Sequence, residues 1–304
     1  MRKDVAFISE GLKCKGWFYI PDGLKEGKKA PVIVMAHGFS AVKEMYLSKY
    51  ADRFCKSGMA VLAFDYRFLG ESEGEPRGQV IPYTQIDDYR NAITWASEQK
   101  EVDSNRIGVW GTSYSGGHVL HLSAFDRRIK AVVAQVPNIC AWKSILKGHG
   151  KDALNIFLTM VNMDRAASLH NKTPNYIPVV APEGQPAALG TPDAYEFFIR
   201  TGEQEKSTWL NKVTMESLEK LVENDPADAI EIISPTPLLI VAAEKDSLIP
   251  VEVVKEAFGR AKDPKKLVVI PCGHFDVYDT EPWHSQAVDA AAGWFVEHLI
   301  QLSN

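Results

Sequence analysis

The sequence predicts an α/β fold: a doubly wound, mostly parallel sheet of about eight strands, interrupted by one helical insertion. Three observations carry that expectation. Short apolar runs recur along the chain, unbroken in Pro31–Ala36 and Pro237–Ala243 and nearly so in Ile129–Val136, and such runs mark strands covered on both faces. Helix-length segments separate them, the alternation that gives parallel strands with right-handed crossovers. That alternation fails between residues 138 and 232 and then resumes. The expected organisation is a core of residues 1–137 and 233–304 with a helical lid or cap at 138–232.

The elements follow in order. Asp4–Ser9 and Leu12–Ile20 read as an antiparallel hairpin turning at Gly11, with the imperfect alternation of a sheet edge. The run Pro31–Ala36 ends in His37-Gly38-Phe39-Ser40, and a helix is expected from Lys43 to Ser57, stopped by Gly58. A strand at Met59–Tyr66 leads into a polar loop, and a helix over Thr84–Lys100 precedes a strand at Arg106–Trp110. After the turn Gly111-Thr112-Ser113-Tyr114-Ser115, a helix runs from Gly116 to the next strand, Ile129–Val136. The insertion offers helical pieces at Ala141–Leu146, Ala153–Met163, Asp193–Thr201 and Thr214–Leu221, a proline-dense loop, and no β-branched strand. So long a break in the rhythm is usual for lids and binding loops. The strands Pro237–Ala243 and Lys266–Ile270 bracket a helix at Val251–Arg260, and the helix Trp283–Leu302 carries an apolar stripe through Ala287, Ala291, Trp294 and Phe295.

The chemistry centres on Ser113. A serine on a strand–turn–helix corner is held in a strained backbone with its hydroxyl projecting from the sheet, and the amide of the next residue is left free for an oxyanion. The loop Gly70-Glu71-Ser72-Glu73-Gly74 matches the literal pattern G-x-S-x-G better. No helix follows it, however, and two glutamates beside Ser72 oppose formation of an alkoxide, so Ser72 reads as a polar turn residue.

A serine hydroxyl needs a base, and the base an orienting group. In an open parallel sheet such groups stand past the carboxyl ends of strands. Of eight histidines, His274 alone occupies a Gly-His loop directly after a late strand. Asp246 stands in the strand-to-helix loop before Pro250, in preference to Glu244, Asp276 and Asp279. The catalytic set is thus Ser113, Asp246 and His274, with an oxyanion hole from the amides of Tyr114 and Phe39. His37 is expected to be structural.

Ser113, Asp246 and His274 together with His37-Gly38 resemble the α/β-hydrolase superfamily over the whole chain apart from the insertion. Tyr114 after the nucleophile is similar to the prolyl oligopeptidase and X-Pro dipeptidyl-peptidase/cocaine-esterase groups. Chain length and the run Gly-Thr-Ser-Tyr-Ser-Gly-Gly resemble dienelactone-hydrolase-like and polyketide-transferase-like members. Two positions depart from the pattern: Ser115 replaces an elbow glycine, and Phe68 stands where relatives often have glycine.

The expected activity is acyl transfer to water: hydrolysis of a carboxylic ester, lactone or thioester through an acyl-enzyme on Ser113. A C–C bond hydrolase, an acyl transferase or a small peptidase would use the same residues. Trp142, Phe157, Met160 and Tyr195 are the candidate lining of a substrate pocket; the alternative is that the insertion's rings simply hold it to the core. A net charge of −5 without a basic block argues against nucleic acid, and no apolar run is long enough to span a bilayer. Without a signal peptide, and with four scattered cysteines, a cytoplasmic protein with reduced thiols is expected. No histidine, aspartate or cysteine cluster has ligand spacing and no glycine loop would cradle a phosphate, so neither metal nor cofactor is expected. The partner is a small ester-like molecule; a homodimer is left open.

Overall fold

The computed structural model describes residues 1–170 and 173–301. The chain opens with β1 (Arg2–Ser9) and β2 (Leu12–Tyr19), an antiparallel hairpin in register from Arg2–Tyr19 to Ser9–Leu12. Then come β3 (Ala30–Ala36), α1 (Leu47–Lys56), β4 (Ala60–Phe64), α2 (Pro82–Ser97), β5 (Val102–Thr112), α3 (Tyr114–Phe125) and β6 (Ile129–Gln135). The segment up to the next core strand holds α4 (Ala141–Ser168), β7 (Tyr176–Ile177), α5 (Pro192–Gln204), β8 (Val213–Thr214) and α6 (Met215–Glu223). The chain closes with β9 (Leu238–Ala243), α7 (Val251–Arg260), β10 (Lys265–Ile270), α8 (Asp276–Asp279) and α9 (Trp283–Val296).

Eight strands form one sheet in the order β1-β2-β4-β3-β5-β6-β9-β10. From β4 to β10 every pairing is parallel, while β2 meets β4 antiparallel. Every residue of β3, β4 and β9 is buried, which is why those strands read as unbroken apolar runs. The edge strand β10 is half exposed and its sequence mixes lysine with valine. α1 packs on α9, and α2 on α3, so both faces are covered by helices.

The structure departs from the expected elements at four places. The first core helix begins at Leu47 rather than Lys43, because Lys43 turns into the core and Tyr46 adopts a left-handed φ of 64° just before the helix. The expected pieces Ala141–Leu146 and Ala153–Met163 join into one long α4, broken at Gly150 (φ 85°, ψ 176°). Strands do occur in the 138–232 segment: β7 and β8 pair as a two-stranded ribbon, too short to leave a sequence signature. The last helix gives way to a π turn at Glu297–Gln301, and its expected end, Leu302, lies outside the described residues. No helix among the described residues is long and apolar enough to cross a membrane.

Candidate active site

The carboxyl ends of β3, β5, β9 and β10 converge. β5 ends at Thr112 and α3 begins at Tyr114, leaving Ser113 alone at the corner with φ 54° and ψ −116°. That conformation is disfavoured for a side-chain-bearing residue and persists only where its surroundings enforce it. Here they do: the Ser113 N–H donates to the Gln135 carbonyl at 2.8 Å, and its own carbonyl accepts from Asn138 N–H at 2.8 Å. The turn is also tight. A methyl on Gly111 would stand 2.1 Å from the Ser115 carbonyl oxygen, and one on Gly116 would stand 2.8 Å from Pro137 Cα.

The structure brings the three expected residues together. His274 Nε2 lies 3.2 Å from Ser113 Oγ, and His274 Nδ1 lies 2.7 Å from Asp246 Oδ2. Asp246 Oδ1 accepts the amides of Leu248 (2.9 Å) and Ile249 (2.7 Å), which aims the carboxylate at the ring. The imidazole and carboxylate are both almost wholly buried. An imidazole held this way can take the serine's proton while the carboxylate steadies the resulting cation. The rival acids are engaged elsewhere. Asp276 accepts Gly273 N–H at 2.7 Å, Asp279 pairs with Arg200, and Glu244 is exposed.

The loop after β3 lies against the serine: a methyl on Gly38 would stand 3.0 Å from Ser113 Cβ, a tight approach that a side chain could take only if Ser113 shifted slightly. The next amide, that of Phe39, donates to no group among the described residues. Tyr114 supplies the first amide of α3, which has no intrahelical partner and lies at the positive end of the helix. The two rings pack edge to face at 5.4 Å.

An ionic cluster around the buried Lys43 and Asp65 holds that loop. Lys43 Nζ lies 2.8 Å from Asp65 and 2.6 Å from each of Glu44 and Glu71. Burial pulls the ammonium down, but Asp65 and the three hydrogen bonds outweigh it and leave Lys43 above its usual value. Those carboxylates converge closely enough to share an ion, and the ammonium fills the place between them. His37, fully buried beside Asp65, has its imidazole pulled below the ordinary value by burial, against the opposing attraction of Asp65.

Both departures from the superfamily pattern are accommodated. The Ser115 hydroxyl donates to the His37 carbonyl oxygen and accepts from Tyr66 Oη, tying the elbow to the β3 loop. Phe68 takes φ 72°, the conformation a glycine would adopt freely, braced by Phe68 N–H to Glu73 O and Gly78 N–H to Phe68 O, both at 2.9 Å.

Two cavities flank Ser113. A narrow one of about 30 Å³ lies on the His274 side, walled by Met45, Phe197, Phe198, Phe275 and Tyr278. A larger one of about 310 Å³ lies on the Tyr114 side, lined by Ile145, Ala153, Phe157, Leu189, Leu221 and Leu248 among others. Of the four pocket candidates from the sequence, Phe157 lines the larger cavity. The other three need correction. Trp142 is 38% exposed with Lys143 over its ring, while Met160 and Tyr195 pack partly buried against the core, outside both linings. The break at Gly150 rotates the two halves of α4 against each other, so a single helical period cannot say which of its residues face inward. Phe197 and Phe198 serve both purposes, lining the narrow cleft and holding α5 to the core through the stack of Phe197 on Phe275 at 4.7 Å. Asn138 and Thr191, also on the larger wall, left no signal in the sequence, since a single polar residue in a loop has no period.

The chain is similar to several known proteins. The quorum-quenching protein AidA of Acinetobacter baumannii is 36% identical over 196 residues, 64% of this chain and 63% of that protein. The thiohydrolase aneE of Aspergillus aculeatus is 29% identical over 281 residues, 87% of this chain and 83% of its own length. The crystal structure of the alpha/beta hydrolase GrgF from Penicillium superposes with a TM-score of 0.82 at 27% identity, covering 98% of this chain and 99% of that one. The model of the X-Pro dipeptidyl-peptidase (S15) family matches residues 10–276. With an α/β-hydrolase sheet and most of its length inside that match, the chain belongs to the X-Pro dipeptidyl-peptidase (S15) family.

Proposed function

We propose that this protein is a serine hydrolase that cleaves a carboxylic ester, including lactones and thioesters, through an acyl-enzyme on Ser113. The observation that carries the reading is the continuous contact from Ser113 Oγ to His274 (3.2 Å) and from His274 to Asp246 (2.7 Å). In this reading His274 takes the proton of Ser113 as its oxygen attacks the carbonyl carbon. The Phe39 and Tyr114 amides bind the resulting oxyanion, each worth about 3 kcal/mol on the general scale for such donors. His274 then protonates the leaving group and next activates the water that releases the acid, while Asp246 stays ionised.

In this reading the two cavities take the two ends of the substrate. The departing atom must receive its proton from His274, so the leaving group departs on the narrow side and the acyl chain takes the larger cavity. Its apolar lining suits a hydrocarbon chain. An X-Pro peptide would bring a free ammonium, yet neither cavity includes an aspartate or glutamate among its described lining residues, which favours an uncharged acyl group over a peptide. The thiohydrolase among the relatives extends the reading to thioesters.

The test is direct. A fluorophosphonate should label one serine, located at residue 113 by peptide mass spectrometry, and Ser113→Ala should lower kcat on p-nitrophenyl octanoate by at least about 10⁴-fold. Label at any other serine, or an Ser113→Ala protein that keeps its rate, would overturn the assignment.

A further inference from the structure

Ser115 stands where the superfamily pattern has an elbow glycine, and its side chain is fully buried between two segments of the chain. A carbonyl oxygen can only accept, so the hydrogen of Ser115 goes to His37 O, and its oxygen takes the hydrogen of Tyr66 Oη, 2.5 Å away. The direction of this short relay is thereby fixed, from phenol to hydroxyl to backbone carbonyl. Tyr66 is itself fully buried two residues past the end of β4, so the relay is anchored in the packed core.

What the relay holds is the loop that carries the Phe39 amide. Gly38 leaves that loop with more backbone freedom than any other residue would, so its path must be fixed from outside. Two successive carbonyls are held. His37 O takes the Ser115 hydroxyl, while Gly38 O accepts His37 Nδ1–H at 3.0 Å and Ala41 N–H at 3.3 Å. The carbonyl and N–H of one planar trans peptide point opposite ways, so holding Gly38 O aims the Phe39 N–H. The bonds to Gly38 O stay within the loop. The bond from Ser115 does not: it starts in the first turn of α3, one residue after Tyr114. Among these bonds it is the one that joins the segment bearing the Phe39 amide to the helix bearing the Tyr114 amide.

We propose that Ser115, backed by Tyr66, is a positioning residue that sets the separation of the Phe39 and Tyr114 amides and so their fit to a tetrahedral oxyanion. The inference rests on the acyl-enzyme reading above and gives part of its rate to a hydroxyl outside the triad. An oxyanion exists only after attack on the carbonyl. Loosening the two donors therefore weakens the transition state and leaves the bound ester alone, which lowers kcat without raising KM.

The experiment has two arms. In the first, kcat and KM for p-nitrophenyl octanoate are measured per active site, counted by fluorophosphonate titration, for the natural protein, Ser115→Ala, Tyr66→Phe and the double variant. Ser115→Ala should lower kcat by about tenfold with KM within about twofold of natural, and Tyr66→Phe should do the same to a smaller degree. The double variant should be no worse than Ser115→Ala, because the phenol acts through the hydroxyl. The inhibition constant of 1,1,1-trifluorononan-2-one, a ketone to which the serine adds to leave an oxyanion, should rise by the same factor as kcat falls, while binding of octanoate is unchanged. A merely structural Ser115 would lower Tm or the count of active sites and leave kcat per site and the ketone's inhibition constant as in the natural protein. That result, or a loss confined to KM, overturns the proposal. In the second arm, hydrogen exchange is followed by mass spectrometry on peptides covering residues 37–42, which needs no turnover. Ser115→Ala should speed exchange there by about tenfold while β3 keeps its protection. Unchanged exchange sinks the positioning role and leaves the hydrolase reading to its own test. Faster exchange in a protein that cleaves no ester keeps the tie between loop and helix and drops the hydrolase reading.

Discussion

The hydroxyl of Ser72 donates to the Asp65 carbonyl at 2.7 Å and accepts the Lys15 N–H at 2.8 Å, so it is consumed in joining the loop after β4 to β2. The hydroxyl of Ser113 faces an imidazole instead. The same residue type is a structural strut in one place and the proposed nucleophile in the other. Ser72→Ala is therefore expected to cost about 1–2 kcal/mol in urea unfolding by orphaning a buried amide, while fluorophosphonate labelling at residue 113 persists. Asp246→Asn keeps the shape of the His274 contact but removes the charge that favours the productive tautomer. It should lower kcat by about 10⁴-fold with the protein still folded by circular dichroism.

At the scale of single elements, α3 carries a cost with a pH signature. His118 is fully buried behind the elbow, its Nε2 within 2.9 Å of Gln85, and burial lowers its pKa from 6.5 to about 3. Between those values the unfolded chain binds a proton that the folded chain refuses. The stability associated with neutral His118 is thus complete above pH 6.5 and drains away as pH falls toward 3, by about 1 kcal/mol per pH unit. Chemical denaturation at pH 7 and pH 5 should show His118→Gln losing less stability on acidification than the natural protein; an equal loss would refute this account. The corner before α3 tolerates less. Gly111→Ala would press a methyl to within 2.1 Å of the Ser115 carbonyl, and is expected to destabilise by about 3 kcal/mol or more, seen as a lowered Tm together with lost labelling.

Across the whole molecule, the segment between β6 and β9 contributes walls to both cavities, and Gly150 breaks its longest helix. Its φ of 85° and ψ of 176° suit glycine, and no atom lies within 4 Å of where a methyl would stand, so the constraint is backbone strain alone. Gly150→Ala should push α4 toward a straighter helix and carry Ala153 and Phe157 off the cavity wall. The preference for octanoyl over acetyl esters, measured as a ratio of kcat/KM, is expected to fall by about tenfold while acetyl turnover changes little.

Much of this was legible in the sequence, and the reason is the sheet. Strands buried on both faces must be apolar throughout, so β3, β4 and β9 announce themselves, and groups that act together collect where such strands end. Ser113, Asp246 and His274 could be proposed from the sequence because each lies in the segment just past the carboxyl end of a strand, and Ser72 set aside because no helix follows it. What only the tertiary structure decided is which side chains of the 138–232 segment face the serine. Phe157 lines the larger cavity and Trp142 does not: ahead of Gly150, Ala141, Ser144 and Ile145 take the wall at helical spacing, and Trp142 lies off their face. That Asn138 Nδ2 and Thr191 Oγ1 have no partner among the described residues was equally hidden, since being unpaired belongs to the surroundings of a group and not to the residue itself.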